Sequence, residues 1–105
     1  MKNYKKIALE NLKERMKEIE EILNANDPLE ELGNHILSWD GADLQFSWGG
    51  PSDGFYLAIN DEGYLVNAVY YYKEWDGGEE IPLHGQNFEL IEKLYETCLK
   101  PECDL

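Results

Sequence analysis

Residues 42–75 constrain the fold more than any other part of the chain, because most of the aromatic residues and the strongest turn signals fall there. Apolar and polar residues alternate in three runs, which is the period of two typical of half-buried strands. Two turn segments separate the runs, and Gly63 in the second is a candidate for a left-handed conformation. The stretch therefore predicts a three-stranded antiparallel meander. Its parts are strand 43–48, turn 49–54, strand 55–59, turn 60–63 and strand 64–72.

The first segment, residues 1–26, has the pattern of an amphipathic helix. Apolar residues recur at spacings of three and four, which places them on one side of a helix. They are Leu9, Leu12, Met16, Ile19 and Leu23. We expect this stripe to pack across the meander. The alternative is a homodimer through this first helix, since the spacing also resembles a heptad repeat, although over only about two heptads.

Residues 27–41 predict a short second helix and a connection. Asp27 is a good N-cap residue, and Pro28 suits the first helical position. Residues 35–39 fit either more helix or an additional strand that would pair through the turn at Asp40 and Gly41. We expect the helix.

The rest of the chain predicts a loop over 76–85, a helix over 86–100 and a loose tail over 101–105. Glycine and acidic residues indicate the loop, while the helix has an apolar side and ends at Pro101. The element order predicts a single α+β domain over 1–105, in which an N-terminal helix, a short second helix and a C-terminal helix flank the meander. Which face of the sheet the helices cover is left open.

Charge is the most informative bulk property. The formal net charge is −13, and residues 1–17 carry a net +4 while the remainder carries −17. Such a surface repels nucleic acid and anionic membranes, so we expect neither as a direct partner, and it steers encounter with a basic protein or nucleoprotein complex. The alternative is that the charge only keeps the protein soluble. Without a secretory leader or a membrane-spanning run, we expect a cytoplasmic protein.

Two sets of residues are candidates for partner binding. The aromatic set lies on neighbouring strands, and exposed tyrosine and tryptophan are common interface anchors. The acidic set falls in turns and at strand ends, where carboxylates can imitate rows of phosphates. The aromatic residues are Tyr56, Tyr70, Tyr72 and Trp75, and the acidic residues are Asp53, Asp61, Glu62, Glu74, Asp76, Glu79 and Glu80. The alternative for the aromatic set is a thick core buried on both faces of the sheet.

No residue pattern indicates catalysis, a cofactor or a metal site. His35 and His84 lack the neighbours that nucleophilic catalysis needs, and the segment 49–54 does not match a phosphate-binding loop. Cys98 and Cys103 predict reduced thiols, and with two separated histidines they do not form a zinc ligand set. We therefore expect a non-enzymatic protein.

Two segments, Leu44–Phe55 and Tyr70–Trp75, carry a resemblance. The first contains GGPSDGF, a glycine-glycine-proline turn between two strands, and the second is an acidic-tryptophan element after the third strand. In these features the chain resembles small uncharacterised acidic proteins encoded by phages, prophages and plasmids. Its size, charge and element order are also similar to those of several phage anti-CRISPR inhibitors, including one that mimics DNA.

This resemblance implies an inhibitor from a mobile element, anti-CRISPR-like or anti-restriction-like. Such a protein would occupy the basic groove of a nucleic-acid-handling host complex, as a possible nucleic-acid mimic. The alternatives are an immunity or antitoxin protein that neutralises a basic toxin nuclease, and a small structural or assembly protein.

Overall fold

The computed structural model describes residues 3–100, so the predicted tail 101–105 and Cys103 lie outside the described residues. A long helix is followed by a short helix, five strands and a last helix. In chain order the elements are α1 (Tyr4–Leu23), α2 (Pro28–Gly33), β1 (Ser38–Trp39), β2 (Asp43–Ser47), β3 (Ser52–Ile59), β4 (Leu65–Glu74), β5 (Gly77–Pro82) and α3 (Gly85–Leu94), which continues as a π-helical turn over Tyr95–Leu99.

The five strands form one antiparallel sheet in the order β1-β2-β3-β4-β5. Each strand pairs with its neighbour in sequence, because short turns return the chain directly alongside itself. Helices α1 and α3 pack against each other and against β4. The predicted α+β class, with an N-terminal helix, a C-terminal helix and an antiparallel sheet, is confirmed. The predicted number of three strands is wrong, since the sheet has five.

The first added strand is β5, which occupies most of the predicted 76–85 loop. It pairs with β4 from Glu74 opposite Gly77 to Val69 opposite Pro82. The glycines of this segment, which indicated a flexible loop, lie instead in a strand. A Cβ atom on Gly78 would lie 2.4 Å from the carbonyl oxygen of Tyr72, so glycine is needed for close approach of the two backbones.

The second added strand is β1, where the expected helical reading of residues 35–39 is wrong. Helix α2 ends at Gly33, and the Leu37 N–H donates to the Gln45 carbonyl at 2.8 Å. The Asp40 carboxylate accepts the N–H groups of Ala42 and Asp43 at 2.9 and 2.7 Å, which closes the turn between β1 and β2. The strand alternative is therefore the one that the chain adopts.

The two helix starts and the tight turn follow their sequence signals. The Asp27 carboxylate caps α2 by accepting the Glu30 N–H at 3.2 Å, with Pro28 in the first position. The Asn3 side chain caps α1 in the same way by accepting the Lys6 N–H. Gly63 has a φ of +89°, as its position in the β3–β4 turn predicts.

Helix α1 buries a stripe that is rotated from the predicted one. Leu12, Met16 and Ile19 are buried as expected. Leu9, however, is 45 % exposed, and Ala8 and Ile22 are buried in addition. The buried residues of α1 are therefore Ala8, Leu12, Met16, Ile19 and Ile22, and the partly buried Arg15 lies next to Met16 on the side of Ala8 and Ile22.

The helices cover one face of the sheet, and the core lies between the two layers. Leu44, Phe55 and Tyr70 stand opposite one another on β2, β3 and β4, and the Phe55 and Tyr70 ring centroids are 5.2 Å apart. A register shift near Ala58 breaks the alternation of β4, so that Leu65 joins the buried residues while Val66 is 57 % exposed. The largest fully buried side chains are Tyr70, Tyr95, Phe55, Ile19, Ile22, Leu44, Ile91 and Leu94.

Candidate partner-binding site

Two tryptophans are exposed at the same end of the sheet. Trp48 follows β2 and is 78 % exposed, and Trp75 follows β4 and is 95 % exposed. The two loops lie together, because a Cβ atom on Gly50 would be 3.0 Å from Trp75 Nε1. We call Trp48, the 49–51 loop and the 74–76 turn the tryptophan end. The predicted strand 43–48 included Trp48, which is wrong because β2 ends at Ser47.

Two tyrosines hold carboxylates at the tryptophan end. The Tyr4 hydroxyl donates to Asp76, and the Tyr72 hydroxyl donates to Glu74. The hydrogen bond with Asp76 raises the pKa of Tyr4 to about 12, and partial burial together with the Glu74 hydrogen bond raises the pKa of Tyr72 to about 12. Tyrosine hydroxyls are ordinarily protonated donors at neutral pH, and the raised pKa values keep these two protonated at more alkaline pH as well. They fix the positions of two negative charges on either side of Trp75 in the sequence.

Asp53, predicted as an exposed carboxylate, is buried in β3 with 3 % exposure. Arg15 binds it with two hydrogen bonds, from Nε at 2.7 Å and from Nη2 at 2.9 Å. The hydroxyls of Ser47 and Tyr70 also donate to it. The prediction that Asp53 lies in an exposed turn is thus wrong, because β3 begins at Ser52, three residues before the predicted strand, and directs this side chain toward α1.

The surroundings of Asp53 keep it ionised. Burial by itself would raise the pKa of Asp53, but the hydrogen bonds from Arg15, Ser47 and Tyr70 outweigh burial and hold that pKa below its usual value. The same carboxylate and that of Glu18 raise the pKa of Arg15 despite the partial burial of the guanidinium. With its oxygens occupied by four donors, Asp53 is a structural anchor between α1 and the sheet and is not placed to act as a general base.

Sequence reasoning missed Arg15, although the chain carries a signal for it. Arg15 is partly buried beside the buried residues of α1, all of which are apolar. An arginine on an apolar stripe requires an acidic partner, since an unpaired buried charge is costly. Its guanidinium also lies over the Phe46 ring, 5.0 Å from the centroid. The Arg15–Asp53 pair therefore fixes how α1 is rotated on the sheet.

The aromatic set does not form one exposed surface. Tyr70 and Tyr72 are buried, with 0 % and 4 % exposure, so their expected exposure as anchors is wrong and the thick-core alternative holds for them. They face the helices because they share the side of β4 that α1 covers. Tyr56 lies on the opposite face, where its ring stacks on Tyr71 at 4.3 Å and its hydroxyl accepts a hydrogen bond from Lys73 Nζ at 2.8 Å.

The acidic set is also divided. Asp61 and Glu62 lie in the β3–β4 turn, at the far end of the sheet from Glu74 and Asp76. Glu79 and Glu80 lie on β5, opposite Tyr72 and Tyr71 respectively. Since paired residues share a face, Glu79 is on the helix-covered side and Glu80 on the open side. Of the predicted residues, the consecutive Glu74, Trp75 and Asp76 lie at the tryptophan end, and Glu79 and Glu80 border the same cleft as Glu74.

Three further observations bear on what this site can be. No helix within residues 3–100 is long and apolar enough to cross a membrane. The same residues contain no group of three or more histidine, cysteine, aspartate or glutamate side chains arranged to hold a metal ion. In comparisons with known proteins, no family, no curated protein and no solved structure matches this chain.

Proposed function

We propose that this protein is a non-enzymatic binding protein that engages a basic partner through its tryptophan end. The observation that carries the proposal is the pair Trp48 and Trp75, exposed by 78 % and 95 % at one end of the sheet. Large exposed aromatic residues are the usual anchors of protein interfaces, where they contribute much contact area at low entropic cost. Their exposure on a free chain is understandable if a partner covers them.

The charge around the tryptophans supports a basic partner. Glu74 and Asp76 flank Trp75 in the chain, and the protein as a whole carries a net charge of −13. Indole rings attract arginine and lysine side chains through cation–π contacts, and adjacent carboxylates add ionic hydrogen bonds. A field of this sign also raises the rate of encounter with a positively charged surface.

The more specific part of the proposal is that the partner is a nucleic-acid-handling host complex and that the protein is an inhibitor from a mobile element. Carboxylates lie at both ends of β3 and β4 and on β5, so the negative charge extends over the length of the sheet. A basic groove that normally holds a phosphate backbone would attract such a surface. The resemblance to phage-encoded acidic proteins favours the same function.

Packing of the first helix weighs against assembly as the main function. Leu12, Met16 and Ile19, which would form a dimer seam, are buried in the core of the chain itself. A coiled-coil dimer through this stripe would require α1 to leave the sheet and break the Arg15–Asp53 pair.

The test compares capture of partners by three purified proteins. A W48A/W75A variant removes both anchors, and an L29A/L37A variant removes two other exposed apolar side chains that lie elsewhere. From a host lysate at low salt, we expect the wild type and L29A/L37A to retain the same basic proteins and W48A/W75A to lose them. Loss of a tryptophan hot spot costs about 2 kcal/mol or more, which is about 30-fold in affinity. Equal retention by W48A/W75A, or retention that salt does not weaken, would contradict the proposal.

A further inference from the structure

The sheet has two edges, and they are not equally protected. At one edge, β1 has two residues, and a strand so short offers few backbone groups for pairing. At the other edge, β5 has six residues, and within residues 3–100 it pairs with β4 alone. Four of these six residues are exposed. The β5 edge is therefore the one with room for another strand.

The register shows which backbone groups of β5 point outward. The Leu83 N–H donates to the Ala68 carbonyl at 2.9 Å, one step beyond the Val69–Pro82 pair. Hydrogen-bonded and non-hydrogen-bonded pairs alternate in an antiparallel ladder. The odd-numbered residues of β5 therefore bond to β4, and Gly78 and Glu80 direct their N–H and C=O groups away from the sheet. Pro82 fits this alternation, because its missing N–H falls at an outward position.

The charges on this edge disfavour pairing of β5 with the β5 strand of a second molecule. Glu79 and Glu80 are consecutive on β5 and lie on opposite faces of the sheet, and carboxylates directly opposite each other in an antiparallel pair repel. The edge strand itself has no lysine or arginine. Lys73, on the neighbouring strand, is turned toward β3, where its Nζ donates to the Tyr56 hydroxyl.

A shallow cleft adjoins the outward groups. It has a volume of about 380 Å³ and is lined by Lys73, Glu74, Gly77, Gly78, Glu79 and Glu80. Gly78 adds no side chain to this edge, whereas the Tyr4 ring lies against Gly77, and three carboxylates surround the cleft. An extended chain with basic side chains would satisfy both features, by backbone hydrogen bonds and by charge.

We propose that β5 accepts an extended basic segment of the partner as a sixth strand of the sheet. This inference rests on the proposed function, because it assumes a basic partner, and it adds the conformation in which that partner binds. The incoming strand bonds to Gly78 and Glu80, its lysine or arginine side chains on the open face of the sheet meet Glu80, and one of its ends lies beside the tryptophan end, next to Gly77.

The experiment measures amide hydrogen exchange with a defined probe, a short synthetic peptide of alternating lysine and threonine. With saturating peptide, we expect exchange at the Gly78 and Glu80 amides to slow by about tenfold, since each gains a hydrogen bond. Amides of Gly77, Glu79 and Ile81, which already bond to β4, serve as internal controls. A matched peptide with glutamate in place of lysine should have no effect. Unchanged exchange at Gly78 and Glu80 with the lysine peptide, or equal slowing by both peptides, would overturn the inference.

Two substitutions at one position separate backbone pairing from charge. Glu80→Gln removes the carboxylate and keeps the outward N–H, whereas Glu80→Pro removes both, at a position where β4 loses no hydrogen bond. We expect E80P to bind the lysine peptide at least about fivefold more weakly than E80Q, which corresponds to one hydrogen bond. Equal affinity of the two variants would overturn strand addition. The proposed function would survive that outcome if W48A/W75A still lost the basic partner, and it would fail separately if W48A/W75A retained it.

Discussion

One buried carboxylate, that of Asp53, joins the helical layer to the middle of the sheet. It accepts hydrogen bonds from Arg15, Ser47 and Tyr70, which come from α1, β2 and β4. Removing one member of such a pair leaves the other charge buried without compensation, which typically costs about 3–5 kcal/mol. The free energy of unfolding is therefore sensitive to substitution of either Arg15 or Asp53 alone. Replacing both by apolar residues need not destabilise the protein.

The lowered pKa of Asp53 predicts how stability depends on pH. An aspartate whose folded pKa lies below its unfolded value, about 3.9, stabilises the fold above that pH and loses this contribution as pH falls through the folded pKa. We expect the free energy of unfolding, measured by urea denaturation, to decline steadily below about pH 4.

Asp53→Asn is the control for this dependence. We expect it to cost about 3 kcal/mol at neutral pH, near the lower end of the range for a broken buried pair, because Glu18 still pairs with Arg15 at 3.0 Å. Below about pH 4 its stability should fall less steeply than that of the wild type. Parallel curves for the two proteins would mean that Asp53 is not the group responsible.

Among the elements, α1 shows most clearly that a tertiary contact decides which face of an amphipathic helix is buried. Spacings of three and four fit a stripe through Leu9 as well as the stripe through Ala8 that is buried. The two differ by a small rotation about the helix axis. The Arg15–Asp53 pair settles the rotation, because it requires Arg15 to face the sheet.

Alanine substitutions on α1 test this rotation. Leu12 is 4 % exposed, and we expect Leu12→Ala to lower the free energy of unfolding by about 2–5 kcal/mol through lost burial and a cavity. Leu9 is 45 % exposed, and Leu9→Ala should cost about 1 kcal/mol or less. The pair is matched in chemistry and helix context. Similar losses for both variants in urea denaturation would contradict the observed orientation.

Across the whole molecule, charge opposes compactness. The protein carries 22 acidic and 9 basic residues, and mutual repulsion of the surplus carboxylates is relieved on unfolding. Most of these carboxylates are exposed to solvent, where salt screens them, whereas the Arg15–Asp53 pair is largely shielded. Stability and partner binding should therefore respond to salt in opposite directions.

We expect the melting temperature to rise as ionic strength increases from about 0.01 M to about 1 M, over which the screening length falls from about 30 Å to about 3 Å. A Glu20→Gln/Glu21→Gln variant, with two fewer exposed charges on α1, should show a smaller rise. Thermal unfolding monitored by circular dichroism measures the melting temperatures of both proteins at each ionic strength. A melting temperature that falls with salt in the wild type would show that attractive surface pairs outweigh the repulsion.

The sequence by itself determined most of the local structure, with β1 and β5 as the exceptions. Alternation and turn residues predicted β2, β3, β4 and the Gly63 turn, and apolar spacing with Asp27 and Pro28 predicted the helices, because these signals act between residues close in the chain. The exposed Trp75 and its neighbouring carboxylates were also among the predicted binding residues.

Only the tertiary structure decided which residues meet across the chain. The sequence predicted a loop at Gly77 and Gly78, whereas in the fold they pair with β4. It predicted Tyr70 and Tyr72 as surface anchors, whereas the helices cover their face of the sheet. Asp53 is an internal anchor because Arg15, which lies 38 residues before it in the chain, packs against it in the fold. Burial, strand edges and ion pairs are properties of packed layers, and a one-dimensional pattern does not specify which layers pack.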